Sequence, residues 1–263
     1  MSAEVRFRFD GKVAVVTGSA RGVGREIVRA FVEAGAQVVA ADRDSDGLTE
    51  TSRAHGARVS AIVADISTTD GAAAIVARAT EAFGRLDICV NNAAVAPHAA
   101  LLEERAEVWD RVYAVNCRGT FLMTQAAARA MIAGGRGGRI INFSSGAAQR
   151  GAAGGAAYAS SRAATESFSR VAAVELAPHD ILVKPTRVLR PSSGGLLIPA
   201  IDHTKIGTLV DEGTLLGALV DPVTHETIEE FRAPYPKTAL LLLRPTMSRL
   251  EGGAMTYVVS EPA

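Results

Sequence analysis

The chain has 263 residues, 48% of them hydrophobic and 21% charged, which is the make-up of a folded globular protein with a sizeable core and excludes disorder. Lys+Arg and Asp+Glu number 28 each, so no net charge draws the chain to nucleic acid or to an anionic membrane. The longest apolar stretch, near Ala239 to Leu243, is too short to span a bilayer, and Met1 to Lys12 holds no apolar signal core.

Lys12 to Thr17 reads as a buried strand, rich in valine with no polar face. Gly22 to Ala34 follows as a helix, with Val23, Ile27, Ala30 and Phe31 at helical spacing, and Gly35 stops it. Further strands are predicted at Gln37 to Asp42, Arg58 to Ala64, Leu86 to Asn91 and Arg139 to Phe143. Between them lie helical patterns at Gly71 to Phe83, Glu104 to Ile132 with a break near Asn116, and Ala157 to Leu176. Strands alternating with helices imply right-handed crossovers and a parallel sheet covered on both faces, a doubly wound α/β fold of Rossmann type. Beyond Leu182 the periodicity fades, with Pro185, Pro191 and Gly194-Gly195 interrupting the pattern. The chain reads as one domain over residues 1–263, with a substrate lid carrying helices of its own at about 186–236. Thr238 to Leu243 then reads as a helix and Ala254 to Val259 as a last strand. Cys89 and Cys117 form neither a disulfide framework nor a metal cluster; they read as packing residues of a reducing cytoplasm. His203 and His225 lack ligand spacing, and His98 reads as a loop residue, so no metal site is expected.

Gly18-Ser19-Ala20-Arg21-Gly22-Val23-Gly24 follows the first strand and opens the first helix. In that context the glycines let backbone approach a pyrophosphate, and the helix N-terminus offers free N–H groups to it. Asp42 ends the second strand, where a carboxylate accepts hydrogen bonds from a ribose and repels a 2′-phosphate. This favours NAD over NADP, although Arg21 and Arg43 stand near enough to greet a phosphate. Asp65, with Ile66 beside it, ends the third strand, where it either accepts from an adenine amino group or caps the next helix.

The order of motifs from residue 10 to 183 resembles the short-chain dehydrogenase/reductase family. Its Thr-Gly-x-x-x-Gly-x-Gly stands at Thr17 to Gly24, and its Asn-Asn-Ala-Gly appears as Asn91-Asn92-Ala93-Ala94. Its helix asparagine matches Asn116, its serine Ser145, and its tyrosine Tyr158, thirteen residues on. The resemblance implies a seven-stranded parallel sheet, a homo-oligomer (tetramer or dimer), and cofactor contacts from the glycine turn, Asn92, Tyr158 and the residue after it by four. It implies hydride exchange between nicotinamide and a secondary alcohol, cyclic diol or ketone, with Tyr158 moving the proton, Ser145 holding the substrate oxygen and Asn116 anchoring a relay water.

Three departures stand against that pattern. The family's Tyr-x-x-x-Lys is Tyr158-Ala159-Ser160-Ser161-Arg162. A phenol with a pKa of about 10 is a poor base at neutral pH unless a cation favours its phenolate. Arg162, on the same helix face, keeps the charge but cannot release a proton into a relay. The family's Pro-Gly after the sixth strand is missing, leaving Thr186 or the backbone near Val188 to face the carboxamide, and the glycine pair after the last strand is also absent. Two other functions therefore stay open: a cofactor-binding scaffold or sensor without turnover, and a non-redox dehydration or cyclisation using Tyr158.

Overall fold

A computed structural model describes residues 8–149, 153–183, 187–189, 191–201, 209–242, 248–250 and 257–260. The five residues of β1 (Val13–Thr17) are all buried, and β2 (Gln37–Asp42) buries its central four. Such strands need cover on both faces, and they receive it. Alternate residues sort into two layers: Val13, Val15, Val39 and Ala41 pack with Ile75, Met123 and Ile140, whereas Ala14, Val16, Val38 and Ala40 pack with Val28 and Leu48. The helices behind these layers are α1 (Gly22–Glu33) and α2 (Ser45–Arg53) on one face. On the other lie α3 (Thr69–Phe83), α5 (Thr120–Gly134) and α6 (Ala156–Leu176). With β3 (Val59–Val63), β4 (Ile88–Asn91), β5 (Gly138–Asn142) and β6 (Ile181–Leu182), the strands form one parallel sheet of order β3-β2-β1-β4-β5-β6. The order reverses between β1 and β4, which opens the crevice where this architecture binds ligands.

The long helix expected over residues 104–132 is α4 (Ala106–Tyr113), a π-helical segment over Ala114–Gly119, and α5, so the break falls on Asn116 as the sequence suggests. Helix α2 escaped the sequence reading because it is polar, burying only Leu48 and Thr51. Its start signal was nevertheless present: Asp44 caps it by accepting from Gly47 N at 3.0 Å.

The described residues divide into two compact units, one over 8–183 and one from 187 onward. The second corrects the reading of a helical lid, because its described residues hold strands and no helix. Strands β8 (Gly195–Pro199), β10 (Leu215–Val220), β11 (Thr227–Arg232) and β13 (Ser248–Leu250) form one sheet in the order β11-β10-β8-β13. Strands β7 (Arg187–Leu189), β9 (Leu209–Asp211), β12 (Lys237–Leu242) and β14 (Tyr257–Ser260) form another in the order β7-β14-β12-β9. Register shifts in the β10–β11 ladder blur the two-residue alternation, so the sequence carries no clear strand pattern there. The expected helix at 238–243 is strand β12, antiparallel to β9 and β14; a short apolar run has no period that separates the two states. The last strand pairs with β12 and β7 and not with the parallel sheet, which has six strands among the described residues where the resemblance implies seven. Leu197, Leu216, Leu219 and Phe231 give this unit a core of its own.

Candidate active site

Gly18 leaves β1 with φ +69, and a Cβ on it would lie 2.8 Å from the Cα of Ala93. A Cβ on Gly24 would lie 2.0 Å from the Gly18 carbonyl oxygen, so the turn folds onto its own helix at contact distance. Gly22, with φ +56, faces open space. Arg21 is the N-cap of α1 but supplies no side-chain cap, and the first turn holds no acid. By contrast, Asp44 and Thr68 cap α2 and α3, whose first turns carry Asp46 and Asp70. The first N–H groups of α1, at Gly22, Val23 and Gly24, thus remain available to an anion beside exposed Arg21 and Val23. The cradle fits a pyrophosphate.

The turn is buttressed from behind. Thr51 Oγ1 donates to the Ser19 carbonyl at 3.0 Å, and the Arg25 guanidinium donates to the Ala20 carbonyl. Gly47 lets α2 approach, since a Cβ there would sit 2.7 Å from the Ala20 carbonyl oxygen. On the other side Asn92 Nδ2 donates to the carbonyls of Thr17 and Gly18 at 3.0 and 3.1 Å, while Thr17 Oγ1 accepts from Asn92 N at 3.1 Å. Asn92, expected to touch cofactor, spends its side-chain amide on shaping the turn. Thr17 opens the glycine motif, but the buttressing roles of Arg25 and Thr51 carry no sequence signal, for nothing in sequence spacing links α2 to the turn.

The Asp42 carboxylate accepts from the backbone N–H groups of Ala20, Arg43 and Asp44 at 3.0, 2.7 and 3.2 Å, so a negative charge is fixed at the end of β2. Arg43 leans toward Asp65, Nε to Oδ2 at 3.6 Å. Asp65 also accepts from Ser67 N and Oγ at 2.9 and 2.7 Å, while Thr68 serves as the helix cap. Burial works to raise the Asp65 pKa, but the Ser67 bonds and the charges of Arg43 and Arg118 prevail and hold it below the usual carboxylate value. Ile66 is buried against Gly119 in the π-helical segment.

Asn116 is fully buried in that segment. Its Oδ1 accepts from Val95 N at 2.9 Å, and its Nδ2 donates to Val95 O and Ser161 Oγ, both at 3.0 Å. The amide therefore ties the loop after β4 to α6, and the Asn116 carbonyl is met by Thr120 Oγ1 at 2.8 Å and Thr165 Oγ1 at 3.3 Å. Ser145 caps a short 3₁₀ turn, Gly146–Ala148, its Oγ accepting from Ala147 N at 3.2 Å. Tyr158 is half-buried in the first turn of α6. Arg162 is buried at 3% exposure, with its Cζ 5.3 Å from the centroid of the Tyr158 ring. Its Nη1 donates to the Phe143 carbonyl at 2.9 Å, whereas its buried Nε has no partner. Among the described residues no carboxylate pairs with this guanidinium.

The remaining expected positions lie elsewhere. Complete burial pushes the Cys89 thiol up to about 12, and burial also raises Cys117, against the opposing charge of Arg162. His98 is exposed in the loop after β4, whose next residue, Ala99, donates to Gly154 O at 3.2 Å. His225 sits at the β10–β11 turn with φ 60, and Val188 lies in β7 of the second unit. Thr186 and His203 fall outside the described residues.

The short chain dehydrogenase family model matches residues 12–187. The chain belongs to the short-chain dehydrogenase family. It is an oxidoreductase of the class acting on CH–OH groups, in a family that uses nicotinamide dinucleotides. This dehydrogenase is 43% identical to sorbitol dehydrogenase of Cereibacter sphaeroides over 67% of its own length and 69% of the relative. It is 39% identical to galactitol 2-dehydrogenase of Agrobacterium fabrum, with the same coverage of 67% and 69%. The crystal structure of a short-chain type dehydrogenase/reductase from Mycobacterium marinum superposes with a TM-score of 0.64 at 35% identity, covering 67% of this chain and 73% of that one. The family match ends at residue 187, just inside the β-rich unit, so nearly all of that unit of the dehydrogenase lies outside it.

Proposed function

We propose that the dehydrogenase interconverts a secondary alcohol of a polyol and the matching ketone, using NAD, with Tyr158 as general acid and base. The observation that carries this reading is the buried Arg162 cation held against the Tyr158 ring. A fixed positive charge in a water-poor site stabilises negative charge as it develops on the phenol oxygen. The nicotinamide, when bound, supplies the hydride acceptor or donor. The chain's own residues do the rest: Tyr158 exchanges the proton of the substrate oxygen, Ser145 donates to the same oxygen, and Asn116 holds the Val95 loop in register. Polyols enter because the two relatives named above are sorbitol and galactitol dehydrogenases.

NAD is preferred because the Asp42 carboxylate is locked by three backbone amides where a 2′-phosphate would come, and Arg43 is drawn off toward Asp65. Gly18, Arg21, Gly22, Val23 and Gly24 hold the pyrophosphate, Asp42, Asp65 and Ile66 the adenosine end, and Arg162 the nicotinamide ribose. A homo-oligomer, tetramer or dimer, is supported by Trp109, Phe121, Val171 and Val174, large apolar residues exposed on α4, α5 and α6. Two free cysteines suit a cytoplasmic setting.

Nicotinamide absorbance, followed with a panel of polyols and ketoses, tests the reading. Turnover is expected in the native chain and a loss of about 10²- to 10⁴-fold in Tyr158→Phe, with NAD binding retained. The competing reading, binding without turnover, rests on the Arg162 donor already spent on the Phe143 carbonyl. It requires tight NAD binding with no substrate in the panel consumed.

A further inference from the structure

Three consecutive residues at and beyond the end of β5 are each bonded to one face of α6. Asn142 Nδ2 donates to Ser169 Oγ at 2.9 Å, Arg162 Nη1 donates to the Phe143 carbonyl at 2.9 Å, and Ser144 Oγ donates to Glu166 Oε1 at 2.8 Å. Residues 162, 166 and 169 follow the i, i+4, i+7 rule, so they form one stripe along the helix. Tyr158 begins that stripe one turn earlier, and Ser145 directly follows Ser144. The strand end that delivers the serine is therefore laced to the helix that delivers the tyrosine.

Glu166 is the rung nearest the serine. Its second oxygen accepts from Gln149 Nε2 at 3.4 Å, so one carboxylate grips both ends of the 3₁₀ turn that Ser145 caps. A charged acceptor makes each of these bonds stronger than a neutral one would. We propose that Glu166 is the positioning residue that sets Ser145 against Tyr158, acting through Ser144 and Gln149 and touching neither substrate nor cofactor. The proposal rests on the assignment of Ser145 and Tyr158 above. A nucleophile, base or oxygen-holding group displaced by about 1 Å loses on the order of 10²-fold in rate, so a loosened turn lowers kcat while the cofactor cradle stays intact.

The test compares Glu166→Ala, Glu166→Gln and Ser144→Ala in the full-length chain. Glu166→Ala is expected to lower kcat about 10- to 100-fold, to leave the Kd for NAD within about twofold, and to speed amide hydrogen exchange over residues 144–149. Glu166→Gln, which keeps an oxygen for Ser144, is expected to recover most of kcat and of the exchange protection. Ser144→Ala removes the same rung without a charge change and is expected to match Glu166→Ala, which covers the case in which that variant does not fold. Unchanged exchange in Ser144→Ala, or Glu166→Gln as impaired as Glu166→Ala, overturns the proposal. If the native chain turns over no polyol, the assigned activity fails, while the exchange measurement still decides whether Glu166 holds the turn.

Discussion

The Arg162 guanidinium lies against the Tyr158 ring, 5.3 Å from its centroid, and is pinned from the other side by a 2.9 Å bond to the Phe143 carbonyl. The two residues are one helical turn apart, so the contact is set by α6 itself rather than by a loop that can yield. A guanidinium held in this way supplies charge but no mobile proton, and its buried Nε remains without a partner. Arg162→Lys restores a side chain that can release a proton and is smaller than the fork it replaces. Polyol turnover is expected to rise about tenfold. The forfeited Phe143 bond is expected to lower stability by about 1–3 kcal/mol, read by urea unfolding. A variant less active than the native chain would mean that the planar guanidinium itself is required.

The glycine turn makes a prediction by contrast. Gly24→Ala forces a methyl to within 2.0 Å of the Gly18 carbonyl oxygen, and neither partner is a side chain that can swing aside. The turn must open, so NAD binding is expected to fall below detection and stability by about 1–3 kcal/mol. Gly22→Ala meets nothing within 4 Å, and its penalty is the left-handed backbone at φ +56, about 1–2 kcal/mol. Fluorescence titration with NAD and thermal melts separate the two. Equal losses of binding would mean that the crowding between Gly24 and Gly18 does not shape the cradle.

What could be read in the sequence follows from how local each feature is. Most strands and helices of the first unit announce themselves because each buries a continuous run or a regular face, as Val13 to Thr17 and Val28 do, whereas the polar α2 does not. Asn116 and its helix break were visible as a motif, but the use of its amide to clamp Val95 depends on a contact across 21 residues. The pairing of Ser144 with Glu166 joins a strand end to a helix and left no trace in either segment, although the four-residue spacing of Arg162 and Glu166 was there to be seen. Beyond residue 185 the strands are short and bulged, as at Leu219 and Val220, so apolar runs such as Thr238 to Leu242 lost the alternation that distinguishes strand from helix.

The proposed preference for NAD rests on the charge of Asp42, whose oxygens are already oriented by the Ala20, Arg43 and Asp44 amides. Asp42→Asn keeps one acceptor oxygen, enough for the Ala20 amide or for those of Arg43 and Asp44 but not for both sets, and removes the repulsion toward a 2′-phosphate. The ratio of NADP to NAD affinity is expected to rise at least tenfold, equivalent to about 1.4 kcal/mol, with exposed Arg21 left to favour the phosphate. Fluorescence titrations with both dinucleotides measure it. A ratio that does not move would place the adenosine ribose away from the end of β2.

Asp87 gives the fold an acid limit. Its nearly buried carboxylate accepts from Val13 N at 2.9 Å and from Arg85 Nε and Nη2 at 2.7 and 2.5 Å, joining the start of β1 to the approach to β4. Burial is the largest single influence and works to raise its pKa. The Arg85 hydrogen bonds, the Val13 amide and the charges of Arg85 and Lys12 outweigh it together, leaving the carboxyl below its ordinary value. A carboxyl depressed in the folded state binds its proton more readily when unfolded. Its contribution is therefore complete above about pH 4, the ordinary carboxylate range, and is lost as the pH falls through the folded value. Asp87→Asn should be less stable at pH 7 by roughly 1.5–3 kcal/mol, the worth of hydrogen bonds to a charged group. Between pH 5 and pH 2 that gap should narrow, because only the native chain has this carboxylate to protonate; urea unfolding across about that range reads it. Native and variant curves that stay parallel down to the acid end would place the acid sensitivity in other carboxylates.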